Sequence, residues 1–152
     1  MPEVVVCDTS CFIALDNINE LHLLNKLYKQ LYTTPEVLNE FGKNLPGWIE
    51  IKSPMDQKKQ HILEFQIDKG EASAIILALE TSADLIILDD YKARLTAEKL
   101  ELNITGTLGI IIKAKKNEII KSVKPLLDKL QENNFRLSED LINQAIKEAE
   151  EI

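Results

Sequence analysis

Two short apolar runs, each ending on aspartate, constrain this chain more than any other feature. Val4-Val5-Val6-Cys7 leads into Asp8, and Leu85-Ile86-Ile87-Leu88 leads into Asp89-Asp90. Runs of four apolar residues without polar alternation read as strands buried on both faces, which is the pattern of a parallel sheet. In open α/β sheets the crevice outside the carboxyl ends of the strands is where ligands bind. Both acids therefore fall where such a fold places functional groups.

The segments between these runs are helical in period. Ser10 is positioned to cap a short helix through Leu15, and a longer helix is expected from about Glu20 to Lys29, with Leu21, Leu24, Leu27 and Tyr28 on one face. Leu31 to Thr33 is extended. Thr34 then caps a helix with Pro35 at its first position and Gly42 near its end. Trp48 to Ile51 alternates like a small edge strand, and Asp56 to Phe65 is expected to be helical. Gly70 opens a helix, Glu71 to Leu79, that is apolar around most of its circumference and so belongs inside the fold. Helices near 91–100, 123–132 and 138–150, a helix opened by Gly106-Thr107-Leu108-Gly109 and a short strand near Ile104 complete the chain. Strands alternating with helices predict a three-layer α/β/α fold around a central, mainly parallel sheet.

With 152 residues, 45% of them hydrophobic, the chain is long enough for one core, and a single domain over 1–152 is expected. The net charge of −7 weighs against a nucleic-acid partner. Its distribution softens that objection, because six lysines lie between Lys113 and Lys129, whereas six acids lie between Glu132 and Ile152. Each of those lysines reads first as part of a solvated helix face. Cys7 and Cys11 are too few for a four-ligand zinc site, and Cys7, ending an apolar strand, reads as a small buried hydrophobe. No signal-peptide pattern or membrane-length apolar run is present, so a soluble cytoplasmic protein is expected.

The acids carry the chemical argument. Asp8 alone would most often be a helix cap. Glu36 sits in the first turn of its helix, where the helix dipole favours an anion, which leaves Glu40, one turn on, freer to serve a site. Glu71 begins an otherwise buried helix, and a desolvated carboxylate requires a partner or a cation. Asp89 and Asp90 repel each other at the end of a buried strand unless solvent or a cation relieves them. Gathered at one sheet edge, Asp8, Glu40, Glu71, Asp89 and Asp90 would form an all-oxygen site suited to Mg²⁺ or Mn²⁺. His22 and His61 lack ligand-spaced companions, Trp48, Phe41 and Phe65 read as core, and Arg94 is expected to pair back with the acids.

Taken in order, Asp8-Thr9-Ser10, Thr34-Pro35-Glu36-Val37-Leu38-Asn39-Glu40, Gly70-Glu71-Ala72-Ser73-Ala74 and Leu88-Asp89-Asp90-Tyr91-Lys92-Ala93-Arg94 resemble the successive acidic motifs of PIN-domain nucleases. The segment Gly106-Thr107-Leu108-Gly109 with Lys113-Ala114-Lys115 is similar to small stand-alone prokaryotic PIN proteins related to VapC toxins. The resemblance implies a metal-dependent ribonuclease whose Mg²⁺ or Mn²⁺ ions are held by Asp8, Glu40, Glu71 and Asp89 or Asp90. It further implies RNA as substrate, an antitoxin protein as partner and a homodimer as assembly. The competing expectation is a PIN-fold module that binds RNA or protein without turnover.

Overall fold

The computed structural model describes residues 4–151. In chain order the elements are β1 (Val5–Cys7), α1 (Thr9–Asn17), α2 (Leu23–Leu27), β2 (Leu31–Thr33), α3 (Pro35–Phe41), β3 (Ile49–Ile51) and α4 (Gln57–Leu63). There follow α5 (Lys69–Glu80), β4 (Leu85–Ile87), α6 (Tyr91–Lys99), β5 (Ile104–Thr105), α7 (Thr107–Lys116), α8 (Lys124–Glu132) and α9 (Glu139–Glu148). The five strands form one parallel sheet in the order β3-β2-β1-β4-β5.

That order decides where a site can lie. From β1 the chain steps outward through β2 to β3, then returns to the other side of β1 for β4 and β5. The reversal falls between β1 and β4, which pair with Val5 opposite Leu85 and Cys7 opposite Ile87. Connections leaving a parallel sheet in opposite directions open a crevice at the strands' carboxyl ends. Asp8 and Asp89 stand at this crevice.

Strand alternation divides the core in two. Val5, Cys7 and Ile87 point to the face covered by α1, α2, α7, α8 and α9, whereas Val6, Ile86 and Leu88 point to the face covered by α5 and α6. All six side chains are wholly buried, which is why these strands carry no polar alternation. The three-layer α/β/α architecture matches the sequence expectation. Among the described residues no helix is long and apolar enough to cross a membrane.

Several local expectations need correction. Ser10 lies within α1, and the cap position belongs to Asp8. The predicted helix from Glu20 to Lys29 shrinks to Leu23–Leu27, because buried Tyr28 is already extended (φ −129°, ψ 137°) as the chain turns into β2. Phe65 is 84% exposed; it lies just past the end of α4 with its ring edge-on to His61. On α9, Ala145 and Ala149 are buried and Ile142 and Ile146 pack against the core, so this stripe is covered from within, with Leu141 left exposed. The lysine-rich stretch serves structure in part: Lys113 lies 4.8 Å from the Tyr28 ring centre, and Lys115 donates to the Lys121 carbonyl at 2.7 Å.

Candidate active site

Asp8 continues β1 by donating its amide to the Ile87 carbonyl (3.1 Å), which ties the residue to β4. Its extended backbone (φ −89°, ψ 171°) places it at the N-cap of α1, yet its side chain makes no capping bond. The residue is only 2% exposed, and Oδ1 accepts no hydrogen bond among the described residues. A buried carboxylate oxygen without a donor costs free energy as an anion. Burial accordingly drives the pKa of Asp8 up; the Thr9 amide opposes the shift, while Glu71, Asp68 and Glu40 reinforce it, leaving the value at about 8. At neutral pH the group therefore keeps its proton unless a cation replaces it. The ordinary use of an aspartate after a strand, helix capping, does not account for this side chain.

Glu40 and Glu71 are brought to Asp8 by two helices clamped together. Val37 donates its amide to Thr34 Oγ1 (3.1 Å), the Thr34 and Ser73 hydroxyls share a bond of 2.7 Å, and Ser73 Oγ donates to the Gly70 carbonyl (2.7 Å). This relay joins the first turn of α3 to that of α5. Gly70 completes the approach, since a Cβ there would run into the carboxylate of Glu40. Glu40 Oε1 accepts from Thr9 Oγ1 at 3.1 Å. Burial and the charge of Asp68 push its pKa up, against the Thr9 bond.

Glu71 is buried and forms a capping box with Asp68: the Asp68 amide donates to Glu71 Oε1 (3.1 Å), and the Glu71 amide donates to Asp68 Oδ1 (2.8 Å). Burial raises the pKa of Glu71 to about 7, with the Asp68 amide opposing and the charges of Asp68, Asp90 and Glu40 adding. Asp68 is thus a sixth acid beside the five expected at the site, one the sequence reading missed. Its signal was present as Asp68-Lys69-Gly70-Glu71, the spacing of a capping box.

The β4 end is built differently. Asp89 Oδ1 accepts from the Thr107 amide (2.8 Å) and Oδ2 from the Thr107 hydroxyl (2.6 Å). Asp90 caps α6 by accepting from the Ala93 amide (3.0 Å). Arg94 does not form the expected ion pair; its Nη1 donates to the Leu88 carbonyl at 2.9 Å. Gly106 makes room here, because a Cβ would stand 2.7 Å from both Arg94 Nη1 and Asp89 Oδ1. Thr107 is therefore a second residue missed for its role, and no local pattern signals a bond to an acid 18 positions earlier.

Ser10, Asp68, Glu71, Asp89, Asp90 and Arg136 line one cleft of about 630 Å³. Through their charges, Glu71 acts on buried Asp8, and Asp90 acts on Glu71 in turn. Asp8, Glu40, Asp68, Glu71 and Asp90 are thus electrostatically one cluster, with Asp89 braced beside it. Among the described residues no group of three or more acidic, histidine or cysteine side chains stands arranged so that it could hold a metal ion. The donor chemistry nevertheless fits a hard divalent cation: the ligands are all oxygens, Asp8 has an unused buried oxygen, and a carboxylate with two accepted bonds retains lone pairs. His22, paired with Glu20 at 3.3 Å, and His61, on α4, take no part. Cys7 and Cys11 are free and buried.

An open parallel sheet with carboxylates clustered at its switch point defines an α/β protein with an acidic site at the carboxyl ends of its strands. The chain matches the family model DUF3368, a PIN domain, over residues 4–151, and it belongs to the PIN-domain family. This bears out the resemblance carried by the acidic motifs. PIN domains are in general nucleases that act on nucleic acids and typically use divalent metal ions. No curated protein shows significant similarity to the chain.

Proposed function

We propose that this chain is a divalent-cation-dependent endoribonuclease acting as one PIN domain over residues 1–152. Asp8, Glu40 and Glu71, with Asp89 or Asp90, are the residues that would hold Mg²⁺ or Mn²⁺, and Asp68 supports them. The observation that carries this reading is Asp8, a buried strand-end carboxyl that caps nothing and has an oxygen without a donor. When bound, the cation would supply Lewis acidity at the scissile phosphate and at the attacking water. The chain's own task is orientation. Thr9 steadies Glu40, the Asp68 amide steadies Glu71, and Thr107 fixes both oxygens of Asp89. Asp8 would hold the cation as a carboxylate, so loading would release its proton near neutral pH.

Calorimetry with Mn²⁺ in two buffers of different ionisation enthalpy, alongside cleavage of a labelled RNA with and without chelator, tests the reading. Cation binding with proton release and chelator-sensitive cleavage are expected. Cleavage that persists after full chelation would sink it. Within the same reading we place the chain with VapC-type cytoplasmic toxins, active as a homodimer and masked by a small antitoxin. Expression in a host should then arrest growth, and Asp8→Asn should relieve the arrest.

One observation favours the rival, a PIN-fold module that binds RNA or protein without turnover: Asp89 and Glu71 are already engaged by the chain's own donors. That rival requires RNA or protein binding with no Mn²⁺ uptake, an outcome the same calorimetry reads.

A further inference from the structure

A second cleft, of about 580 Å³, adjoins the acidic one and shares Asp89, Phe135 and Arg136 with it. Its wall also includes Tyr91 and Arg94. The chain contains only two arginines, and both line this cleft beside Asp89. In a chain of net charge −7, that placement is a concentration of cationic donors next to the carboxylates. The two differ in freedom. Arg94 is half-buried and anchored through Nη1 to the Leu88 carbonyl, whereas Arg136 is exposed and has no hydrogen-bond or ion-pair partner among the described residues. Tyr91, the first residue of α6, is 73% exposed despite its large apolar ring. Two acids, Asp89 and Glu148, line the same cleft, and neither is paired with a guanidinium among the described residues; Asp89 has both oxygens turned to Thr107.

We infer that this cleft is the groove that receives single-stranded RNA, with Arg136 and Arg94 on phosphates flanking the scissile one and Tyr91 stacking on a base. The inference rests on the ribonuclease reading above. Guanidinium forks match phosphate oxygens, and an exposed aromatic beside a cationic groove is the stacking platform used for single strands. In a duplex the base faces are occupied by their neighbours, so Tyr91 would have nothing to stack on. The strand therefore runs from the arginine cleft across Asp89 into the acidic cleft, and unpaired RNA is the form selected.

The test is fluorescence anisotropy of a labelled 12-nucleotide single-stranded RNA and of its duplex, in chelator so that no turnover occurs, over a series of salt concentrations. Arg136→Ala should weaken single-strand binding and reduce the slope of log affinity against log salt by about 0.7, the loss of one phosphate contact. Arg136→Lys should restore the slope. Tyr91→Ala should weaken binding roughly 5- to 100-fold with the slope unchanged. Arg136 and Tyr91 are exposed, and circular dichroism melts of each variant should match the parent, which separates binding loss from misfolding. Duplex that binds as tightly as single strand, or wild-type affinity and slope in Arg136→Ala and Tyr91→Ala with cleavage retained, overturns the groove while leaving the nuclease reading intact. A wild-type protein that neither binds nor cleaves RNA overturns both.

Discussion

The two strand ends that look alike in sequence are opposites in structure. Asp8 and Asp89 each follow an apolar run, and the two strands pair directly across the switch point. Asp8 is buried, caps nothing and has an oxygen without a donor, whereas Asp89 is half-buried with both oxygens bonded to Thr107. The difference teaches that strand-end position specifies a place but not an electrostatic state. At β1 the carboxyl is buried and its neighbours are other acids, so burial first and their charge second destabilise it as an anion and leave it ready for a cation. At β4 the neighbour is the first turn of α7, so the carboxylate is already satisfied and rigid.

The largest effect should come from removing the destabilised member. Asp8→Asn should lower Mn²⁺-dependent RNA cleavage by roughly a thousandfold, in the range of losing one key electrostatic group. It should also stabilise the fold in metal-free buffer, and the sign follows from linkage. The folded-state pKa of about 8 exceeds the unfolded value near 4. Between these values the native state binds more protons than the unfolded chain, so its stability falls as pH rises. Glu71, raised to about 7, acts in the same direction over its own window. Below about pH 4 the wild type and Asp8→Asn should be nearly equal, and near pH 8 the variant should be more stable by on the order of 3 kcal/mol, less than the full shift because local relaxation tempers burial. Urea titrations at pH 4, 6 and 8 with chelator present measure this. A pH-independent difference would mean that Asp8 is not held protonated.

A smaller effect is expected from loosening the satisfied member. Thr107→Val keeps shape and volume but removes the 2.6 Å bond to Asp89, leaving only the backbone donor. Supporting contacts of this kind are worth about 10- to 100-fold in metal affinity or activity, and the lost charge-assisted bond should cost about 1.5–3 kcal/mol of stability. Cleavage rates and thermal melts of the variant would show both. Activity equal to wild type would make Asp89 a brace for α7 and not a member of the site.

The same contrast explains what could be read in advance. The buried strands, the cap at Thr34-Pro35 and the buried helix from Lys69 are visible because their causes are local: apolar runs, a hydroxyl before a proline, and small residues around a helix. Asp68 was legible in principle, since its partner is three residues away. The bond from Thr107 to Asp89 was not, because only the parallel pairing of β4 with β5 brings them together. Arg94 misled for a related reason: charge spacing along α6 points to an ion pair, but the free carbonyl of Leu88 at the strand end is nearer. Phe65 reads as core by residue type alone, whereas its position beyond the end of α4 leaves it in solvent.

The smallest and most discriminating prediction concerns Asp68, which belongs to both regimes. As the N-cap of α5 it is satisfied, accepting from the Glu71 amide; as a charge it raises the pKa of both Asp8 and Glu71. Asp68→Ala should cost about 1 kcal/mol through the lost cap. Asp68→Asn keeps an oxygen that can accept the same bond and removes only the charge, so it should leave the melting temperature at pH 4 near wild type. With one repulsive neighbour fewer, Asp8 and Glu71 should lose their protons at lower pH, and the pH at which Mn²⁺ binding is half-maximal should move down with them. NMR-monitored titration of the carboxyl carbons would read the shift directly. If Asp68→Asn and Asp68→Ala behave identically, the residue is only a cap, and the acidic cluster around Asp8 has one member fewer.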